Sequence, residues 1–389
     1  MPTTATRRDW AAVASLGLGV FTITTTEIMP IGLLRPMADD LAVSEGAIGL
    51  TVTFFAFVAA FSALILTSAT RRIDRRPILL SVLALFVVGN TLTALTTGYA
   101  MLVIVRVVIG VALGLMWAIM AATAVRLVPP NAAVRATTIA FSGVSLASVF
   151  GLPVGTFIGQ LLGWRAAFWT LAGLSAVALV ALAIFLRSVP ADTDTIGLRG
   201  LPRLLRMKHL RTTLIVTALA VTGAYAAYTY VTPLIVEVIG IDAGLVSVVL
   251  LVMGAAGVAG NFGAGAFLTR TTSVRGSLCS LIGLLAAALV LTILTREWVA
   301  VAVIGLLIWA VGYAAIPIGL QTTVFRVAPG YRESATALYS TTFNLSIGLG
   351  ALVGALAIER AGALAPTIVG AVGATLALIV ASRLPARVA

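Results

Sequence analysis

The sequence predicts an all-α membrane protein that crosses the bilayer with twelve helices, arranged as two pseudo-symmetric six-helix bundles. Its 389 residues are 60% apolar and only 10% charged, and the mean hydropathy is +1.13. The apolar stretches run for about 18–25 residues, the length that crosses some 30 Å of hydrocarbon at 1.5 Å per residue. They are too long and too uniform for the strands of a membrane barrel, so helices are the structure that remains.

Twelve such stretches follow one another along the chain, and we number them as spans in that order. Their expected boundaries are 10–34, 45–69, 77–97, 100–125, 137–158, 166–187, 211–237, 243–269, 276–295, 298–325, 335–358 and 363–382. Arg7 and Arg8 before the first span are typical of a targeting signal. The span is too long for a signal-peptide core and carries Glu27, so we interpret it as a retained helix.

The basic residues alternate from loop to loop. Of the 25 lysines and arginines, 20 fall in the termini and in every second loop, four fall in the other loops, and Arg106 lies within a span. The positive-inside rule then places both termini and the central loop in the cytoplasm. The net charge of +12 therefore reflects membrane topology, and we expect no nucleic-acid partner.

The second half of the sequence repeats the first with a nearly constant offset. Ser44 and Asp242, both good helix N-caps, are 198 residues apart. Three glycines recur at an offset of 199: Gly151, Gly155 and Gly163 match Gly350, Gly354 and Gly362. Parallel six-helix halves are the layout of a large class of transporters, in which the substrate binds between the halves and the halves rock. A channel remains an alternative.

The repeat also predicts the domain organisation. We expect an N-terminal six-helix bundle over 1–187 and a C-terminal one over 211–389. Between them, the polar segment 188–210 is interpreted as a cytoplasmic linker.

Glu27 and Arg106 are single charges within otherwise apolar spans. A charge at the middle of a membrane helix costs about 2.5–3.5 kcal/mol, so such residues usually have a function. The rise per residue places the two at similar depths. A carboxyl that is shielded from water favours its neutral form, and a nearby arginine favours its ionised form. Such a carboxyl can take up and release a proton, which would couple a proton gradient to transport. The alternative is a permanent ion pair that pins two helices together.

Several motifs carry a resemblance to a known family. They are Thr24-Thr-Thr-Glu27 with the apolar residues up to Leu34, Arg106-Val-Val-Ile-Gly110, the small-residue series from Gly143 to Gly155, and Gly163-Trp-Arg-Ala-Ala-Phe168. The chain resembles the major facilitator superfamily over essentially its whole length. Within it, the chain is similar to the bacterial drug/proton antiporter and sugar-efflux branch, including arabinose efflux permeases. The resemblance implies the major facilitator fold, export across the bacterial inner membrane and a role in multidrug resistance.

The loop after the second span departs from the family pattern. That pattern reads Gly-x3-Asp-Arg-x-Gly-Arg-Arg, whereas this chain has Arg71-Arg72-Ile-Asp74-Arg75-Arg76. Arginine replaces the aspartate, so the usual gating ion pair is in doubt and Asp74 is the candidate to supply the carboxylate. The alternative is that these arginines only determine topology.

The resemblance places the substrate cavity on the first, fourth, seventh and tenth spans. Aromatic and methionine side chains there form an adaptable apolar surface with a few polar groups. The candidates are Thr24, Thr25, Met116, Trp117, Met120, Tyr225, Tyr228, Thr232, Trp309 and Tyr313, with Asn344 of the eleventh span in addition. The alternative for each is ordinary helix packing or a place at the lipid surface.

Four further residues are candidates for close helix packing. Gly110, Gly151 and Gly155 lack a side chain that would keep helices apart, and Pro153 removes a backbone donor and bends its helix. The resemblance assigns the last three to an antiporter motif.

Other function classes are disfavoured. The chain has one histidine and no phosphate-binding loop, so we expect no metal site, no enzyme activity and no cofactor. The predicted function is proton-coupled export of small amphipathic molecules, with sugar or polar-metabolite efflux as the alternative and a gated pore as the alternative of another class. The expected partners are the substrate, protons and the lipid bilayer, and the expected oligomeric state is a monomer.

Overall fold

The computed structural model describes residues 5–70, 73–129, 132–190, 204–271, 273–328 and 332–386. Within these ranges the regular structure is helical and contains no strand. Eleven helices are long and apolar enough to cross a membrane, and Ala365–Ala381 is a further apolar helix of 17 residues. The predicted all-α, multi-pass fold with twelve membrane helices is thereby confirmed.

The twelve spans lie where the apolar stretches predict them. Ten of them are single helices. In the first half these are the first to fourth and the sixth spans, with the bounds Arg7–Gly32, Glu45–Ala69, Arg75–Ala94, Tyr99–Arg126 and Trp164–Phe185. In the second half they are the eighth to twelfth spans, with the bounds Val246–Arg270, Val274–Leu294, Val299–Val327, Arg332–Ala361 and Ala365–Ala381. A short helix, Leu34–Leu41, lies between the first and second spans.

Two spans are interrupted by a single π-helical turn. The fifth span consists of Ala133–Leu146 and Leu152–Leu162, joined by the π turn Ala147–Gly151. The seventh span, Lys208–Thr229, continues through Val231–Pro233 into the π turn Leu234–Val238. A proline lies close to each π turn: Pro153 is two residues after the first, and Pro233 immediately precedes the second. A residue without an N–H cannot continue the regular helical ladder.

Helix starts follow the local sequence in both halves. Ser44 Oγ accepts a hydrogen bond of 3.1 Å from the backbone N–H three residues later, and Asp242 Oδ1 accepts one of 2.7 Å from the N–H two residues later. Both predicted N-caps are confirmed. Two residues before each cap the backbone has a positive φ, 53° at Ala42 and 79° at Gly240, so the same turn is built twice.

The chain separates into two compact units. Unit 1 comprises Met1–Leu41 and Phe57–Thr195, and unit 2 comprises Ala42–Ala56 and Ile196–Ala389. The first half of the second span thus belongs to unit 2. The predicted bundle limits stay a prediction, since 191–203 of the proposed linker lie outside the described residues.

Each unit packs its helices in the same pattern. In unit 1 the first span packs against the fifth and sixth, and the third packs against the fourth and sixth. In unit 2 the seventh span packs against the eleventh and twelfth, and the ninth packs against the tenth and twelfth. The repeat in the sequence is therefore a repeat in tertiary packing.

The chain leaves both units in the same way. After the sixth span, Val189 O accepts a hydrogen bond of 2.9 Å from the backbone N–H of Arg75 at the start of the third span. After the twelfth span, Ala386 O accepts one of 2.9 Å from Val274 N–H at the start of the ninth. The segment that follows the last helix of each bundle is thus hydrogen-bonded to the start of that bundle's third helix.

Candidate functional site

Glu27 lies in the interior of unit 1. Every residue from Thr22 to Gly32 is buried, because the fourth, fifth and sixth spans cover this half of the first span. Glu27 itself is 9% exposed. An acid in this position is shielded from lipid by neighbouring helices and is kept within the protein, as functional intramembrane charges are.

Arg106 lies in the same interior and is fully buried. Its Nη1 donates a hydrogen bond of 2.9 Å to the backbone carbonyl of Thr26, the residue that precedes Glu27. Its guanidinium carbon lies 5.5 Å from the centre of the Phe168 ring, a cation–π contact with the sixth span. Arg106 also acts electrostatically on the Glu27 carboxyl. The structure therefore brings the two predicted coupling residues together.

Two polar residues that the sequence analysis missed lie beside this pair. Asn90 of the third span donates from Nδ2 to Thr26 Oγ1 at 3.0 Å and to Ser175 Oγ of the sixth span at 3.4 Å. All three side chains are buried. A signal for Asn90 exists in the sequence, since it is an amide in the middle of an apolar span.

This arrangement joins the backbone that carries the Glu27 carboxyl to a polar network. The guanidinium of Arg106 binds the peptide carbonyl immediately before Glu27, so a shift of the arginine is linked to the backbone that carries the acid. An opposite charge favours the ionised form of a carboxyl, while exclusion of water favours the neutral form. A carboxyl under both influences can exchange a proton when its access to water or to Arg106 changes.

The candidate cavity residues of unit 1 occupy different surroundings. Thr24 is buried, and Thr25 donates its hydroxyl to Phe21 O of its own helix at 2.7 Å. Trp117 packs against the ring of Phe141 in the fifth span, with 6.1 Å between ring centres. Two methionines of the fourth span, Met116 and Met120, are fully buried in the bundle. The structure does not gather these residues around one described cavity.

A cavity of about 120 Å³ lies between the first, fifth and sixth spans. Thr25, Gly151 and Gly155 line it, together with apolar side chains that include Phe150 and Val154. Of the predicted cavity residues, Thr25 alone lines it. The surface is apolar, because the threonine hydroxyl is already bonded within its own helix.

The candidates of unit 2 include a compact aromatic cluster. Tyr228 and Tyr313 are stacked with 4.7 Å between ring centres, and Tyr225 lies 5.7 Å from Tyr313 and 6.4 Å from Tyr228. Trp309 is fully buried one turn before Tyr313, and Thr232 is buried in the short helix Val231–Pro233 of the seventh span. The seventh and tenth spans thus bring the three predicted tyrosines together.

In the eleventh span, the predicted residue Asn344 and its neighbour Tyr339 make different kinds of contact. Asn344 donates Nδ2 to Ser340 O of its own helix at 2.8 Å. Tyr339, which the sequence analysis did not select, donates its hydroxyl to Pro317 O of the tenth span at 3.1 Å and packs against Phe343. Tyr339 therefore joins two helices of unit 2, while Asn344 bonds within one.

Asp74 caps the third span and binds the chain that leaves the sixth. Its carboxylate accepts hydrogen bonds from the backbone N–H groups of Arg76 at 2.7 Å and Val189 at 3.2 Å, and from the hydroxyl of Ser188. Burial opposes ionisation, but these hydrogen bonds outweigh it and hold the pKa of the Asp74 carboxyl below its ordinary value of 3.8. Arg72, the other predicted member of this loop motif, lies outside the described residues.

The two arginines after Asp74 bind backbone carbonyls. Arg75 Nη1 donates to Thr70 O at 3.1 Å, and Arg76 Nη2 donates to Ala183 O of the sixth span at 2.9 Å. The loop residues thus tie the start of the third span to the end of the second and to the sixth, all within unit 1.

The small residues of the fifth span lie against the first. A Cβ placed on Gly151 would lie 2.2 Å from Thr25 Oγ1, and one on Gly155 would lie 2.1 Å from Met29 Cε. Pro153 lies between them, in the first turn of the helix that follows the π turn. Gly110 is buried in the fourth span, one turn beyond Arg106.

No group of three or more histidine, cysteine, aspartate or glutamate side chains that could hold a metal ion occurs in the part of the chain that the structure describes.

The fold is similar to that of several solved transporters. A bacterial homologue of the human lysosomal transporter Spinster, in an inward-facing and unoccupied conformation, aligns with a TM-score of 0.73 and 16% identity over 98% of both chains. The human organic anion transporter MFSD10 (TETRAN) aligns with a TM-score of 0.70 and 19% identity over 98% of this chain and all of that one. A POT family transporter in complex with a thioalcohol-conjugated peptide aligns with a TM-score of 0.75 and 13% identity over 95% and 94%.

At these identities the structural matches establish the fold alone. The family follows from the sequence: residues 15–351 match the family described as Major Facilitator Superfamily, which is most of the chain. With its helical, multi-pass architecture and its duplicated packing, the chain belongs to the Major Facilitator Superfamily of membrane transporters.

Proposed function

We propose that this protein is a proton-coupled exporter of small amphipathic molecules in the bacterial inner membrane, with both termini in the cytoplasm. One observation carries the proposal: Glu27 and Arg106, the charges of the first and fourth spans, are buried in one interior and interact electrostatically. Burying a pair of this kind is unfavourable unless both charges are satisfied, so its retention favours a functional role.

In this proposal Glu27 carries the proton. When its carboxyl is shielded from water it holds the proton, and access to water together with Arg106 favours release. A cationic or polar substrate that approaches the carboxylate competes with the proton. Alternation of access between the two sides of the membrane then yields antiport. The proton gradient supplies the energy, so the proposal requires no cofactor and no enzymatic step, and one chain suffices.

The aromatic cluster of unit 2 supports the substrate class. The ring centres of Tyr225, Tyr228 and Tyr313 lie 4.7–6.4 Å apart, so three aromatic faces and three phenol groups are gathered in one place. Aromatic faces bind flat apolar rings and organic cations, and phenol hydroxyls give a few polar contacts. Flat amphipathic cations are therefore the proposed substrates.

Sugar or polar-metabolite efflux is a second candidate, and Thr24 favours it. Its hydroxyl is buried and has no hydrogen-bond partner among the described residues. A buried hydroxyl of this kind gains free energy from a substrate hydroxyl. Competition experiments with pentoses and hexoses against planar dyes separate the two candidates.

Substrate-induced proton release from purified protein tests the proposal. Wild-type protein is mixed with a panel of planar organic cations in weakly buffered detergent solution, beside Glu27→Gln and a control, Glu237→Gln. The control removes a carboxyl in the π turn at the end of the seventh span, within unit 2. We expect wild type and control to release protons and Glu27→Gln to release none. Normal release by Glu27→Gln would contradict the coupling role.

A further inference from the structure

A buried polar cluster extends from the coupling pair into the third and sixth spans, and its centre is Asn90. The cluster consists of Thr26, Asn90, Arg106 and Ser175, which lie on four different spans of unit 1. The following inference concerns how this cluster serves Glu27, and it rests on the proposed function.

Asn90 links three helices through one amide group. It is fully buried, and its Nδ2 donates to Thr26 Oγ1 at 3.0 Å and to Ser175 Oγ at 3.4 Å. The Thr26 hydroxyl in turn donates to Thr22 O at 2.8 Å, so its lone pairs are left to accept from Asn90. The side chain of Thr26 therefore has a defined orientation, imposed from the third span.

Thr26 is held a second time, through its backbone. Its carbonyl accepts the hydrogen bond from Arg106 at 2.9 Å, and the next residue is Glu27. The peptide that carries the acid is thus held by the fourth span through Arg106, and the neighbouring side chain is held by the third span through Asn90. Rotation of this turn would move Glu27 relative to Arg106.

The third and fourth spans touch at this level. A Cβ placed on Gly89 would lie 2.1 Å from Cγ2 of Ile109, so the two helices are in direct contact next to Asn90 and three residues beyond Arg106. This close approach keeps the two groups that hold Thr26 in a fixed relation to each other.

The amide oxygen of Asn90 distinguishes the cluster from ordinary helix packing. Asn90 Oδ1 is buried and has no hydrogen-bond partner among the described residues. A buried acceptor without a donor is unfavourable, and packing alone would be served as well by an apolar residue. Its presence therefore favours a functional role of Asn90 over packing alone.

We propose that Asn90 is a positioning residue, which holds the Thr26–Glu27 turn against Arg106 and so determines the pH at which Glu27 exchanges its proton. It touches neither substrate nor proton in this proposal. It acts through Thr26 and through the distance between the carboxyl and the guanidinium.

Arg106 is the charged group that acts on Glu27 from the helices packed against the first span. The other charged residues of the third to sixth spans with described side chains stand at helix ends: Arg75, Arg76, Arg126 and Arg165. A change in the titration of Glu27 after substitution of a neutral neighbour is therefore a change in its relation to Arg106 or to water.

Infrared titration of the protonated carboxyl tests the inference directly. The Glu27 signal is identified as the band that is absent from Glu27→Gln, and its intensity is followed against pH without substrate. Asn90→Leu removes the amide at similar volume. The matched control is Thr93→Val, a fully buried residue one turn away whose hydroxyl donates only to Gly89 O of its own helix.

We expect Asn90→Leu to move the titration to higher pH by about one pH unit, the lower end of what a neighbouring arginine contributes, because the carboxylate loses part of that support. Thr93→Val should titrate as wild type. Thr26→Val removes the acceptor for Asn90 and should reproduce the shift, and the double variant should shift no further than either single one. If Asn90→Leu does not fold, Thr26→Val tests the same hydrogen bond.

Titration of Asn90→Leu or Thr26→Val at the wild-type pH overturns the inference, and so does an equal shift in Thr93→Val. A wild-type Glu27 band that does not titrate overturns it together with the proposed function. Normal substrate-induced proton release by Glu27→Gln overturns the proposed function alone, because the infrared titration is measured without substrate.

Discussion

Gly143 and Gly173 should respond to the same substitution with opposite signs. Both are glycines within membrane helices of unit 1, and alanine gains about 0.5–1 kcal/mol over glycine in a helix interior. At Gly173 a Cβ meets no atom within 4 Å. Gly173→Ala should therefore stabilise the protein by up to about 1 kcal/mol.

At Gly143 the same methyl group meets backbone. The added Cβ would lie 2.3 Å from Gly17 O and 2.7 Å from Phe21 N of the first span. Backbone atoms cannot rotate away, so the first and fifth spans must separate, and overpacking of this kind costs about 1–3 kcal/mol. After the gain in helix propensity, we expect Gly143→Ala to destabilise the protein by about 1–2 kcal/mol.

The assay is thermal unfolding in detergent, followed by loss of the far-ultraviolet circular dichroism signal of the helices. Equal expression and a monodisperse elution profile are required of both variants before the comparison. A Gly143→Ala variant as stable as Gly173→Ala would refute the reasoning, because it would show that the two spans do not approach closely at this position.

Three further predictions concern the loop, the aromatic cluster and the second span. The Asp74 carboxyl has a lowered pKa, so its hydrogen bonds to the segment 188–190 should be complete at neutral pH and lost as the pH falls below the ordinary value of 3.8. Asp74→Asn should make 188–190 sensitive to protease at pH 7. Resistance equal to that of the wild type would contradict this. Tyr313→Leu should weaken binding of planar cations, measured by fluorescence titration, and leave sugar binding unchanged, since it removes the stacked ring. Ser44 Oγ donates to Glu359 Oε1 at 2.6 Å within unit 2, so Ser44→Cys and Glu359→Cys should form a cross-link on oxidation in a cysteine-free background; absence of the cross-link would show that the two side chains do not meet.

Much of the fold could be predicted because bilayer thickness imposes a length on every crossing helix. The positions of the spans follow from apolar stretches of matching length, and Ser44 and Asp242 mark helix starts by chemistry that acts over three residues. The π turn in the fifth span could not be located in this way. Pro153 indicates a break, but which carbonyl is left over depends on how the helix packs against its neighbours.

The candidate site was predicted in part, for a related reason. Glu27 and Arg106 are conspicuous because an unpaired charge in hydrocarbon is costly, so their type and position suffice to select them. Asn90 and Ser175 carry a small cost and resemble many other polar residues of the spans. Only the hydrogen bonds that Asn90 donates to Thr26 and to Ser175 distinguish them.

The sequence by itself determined the membrane class, the number of spans, the repeat and the presence of two charges, Glu27 and Arg106, within the spans, since these depend on hydropathy and charge along one chain. The tertiary structure decided which side chains meet. Asp74 binds Ser188 across 114 positions, Arg106 reaches the carbonyl of Thr26 across 80, and Thr25 lies against Gly151 of the fifth span. The physical reason is that a helix presents side chains all round its axis, and only the neighbours that pack against it determine which of them lie together.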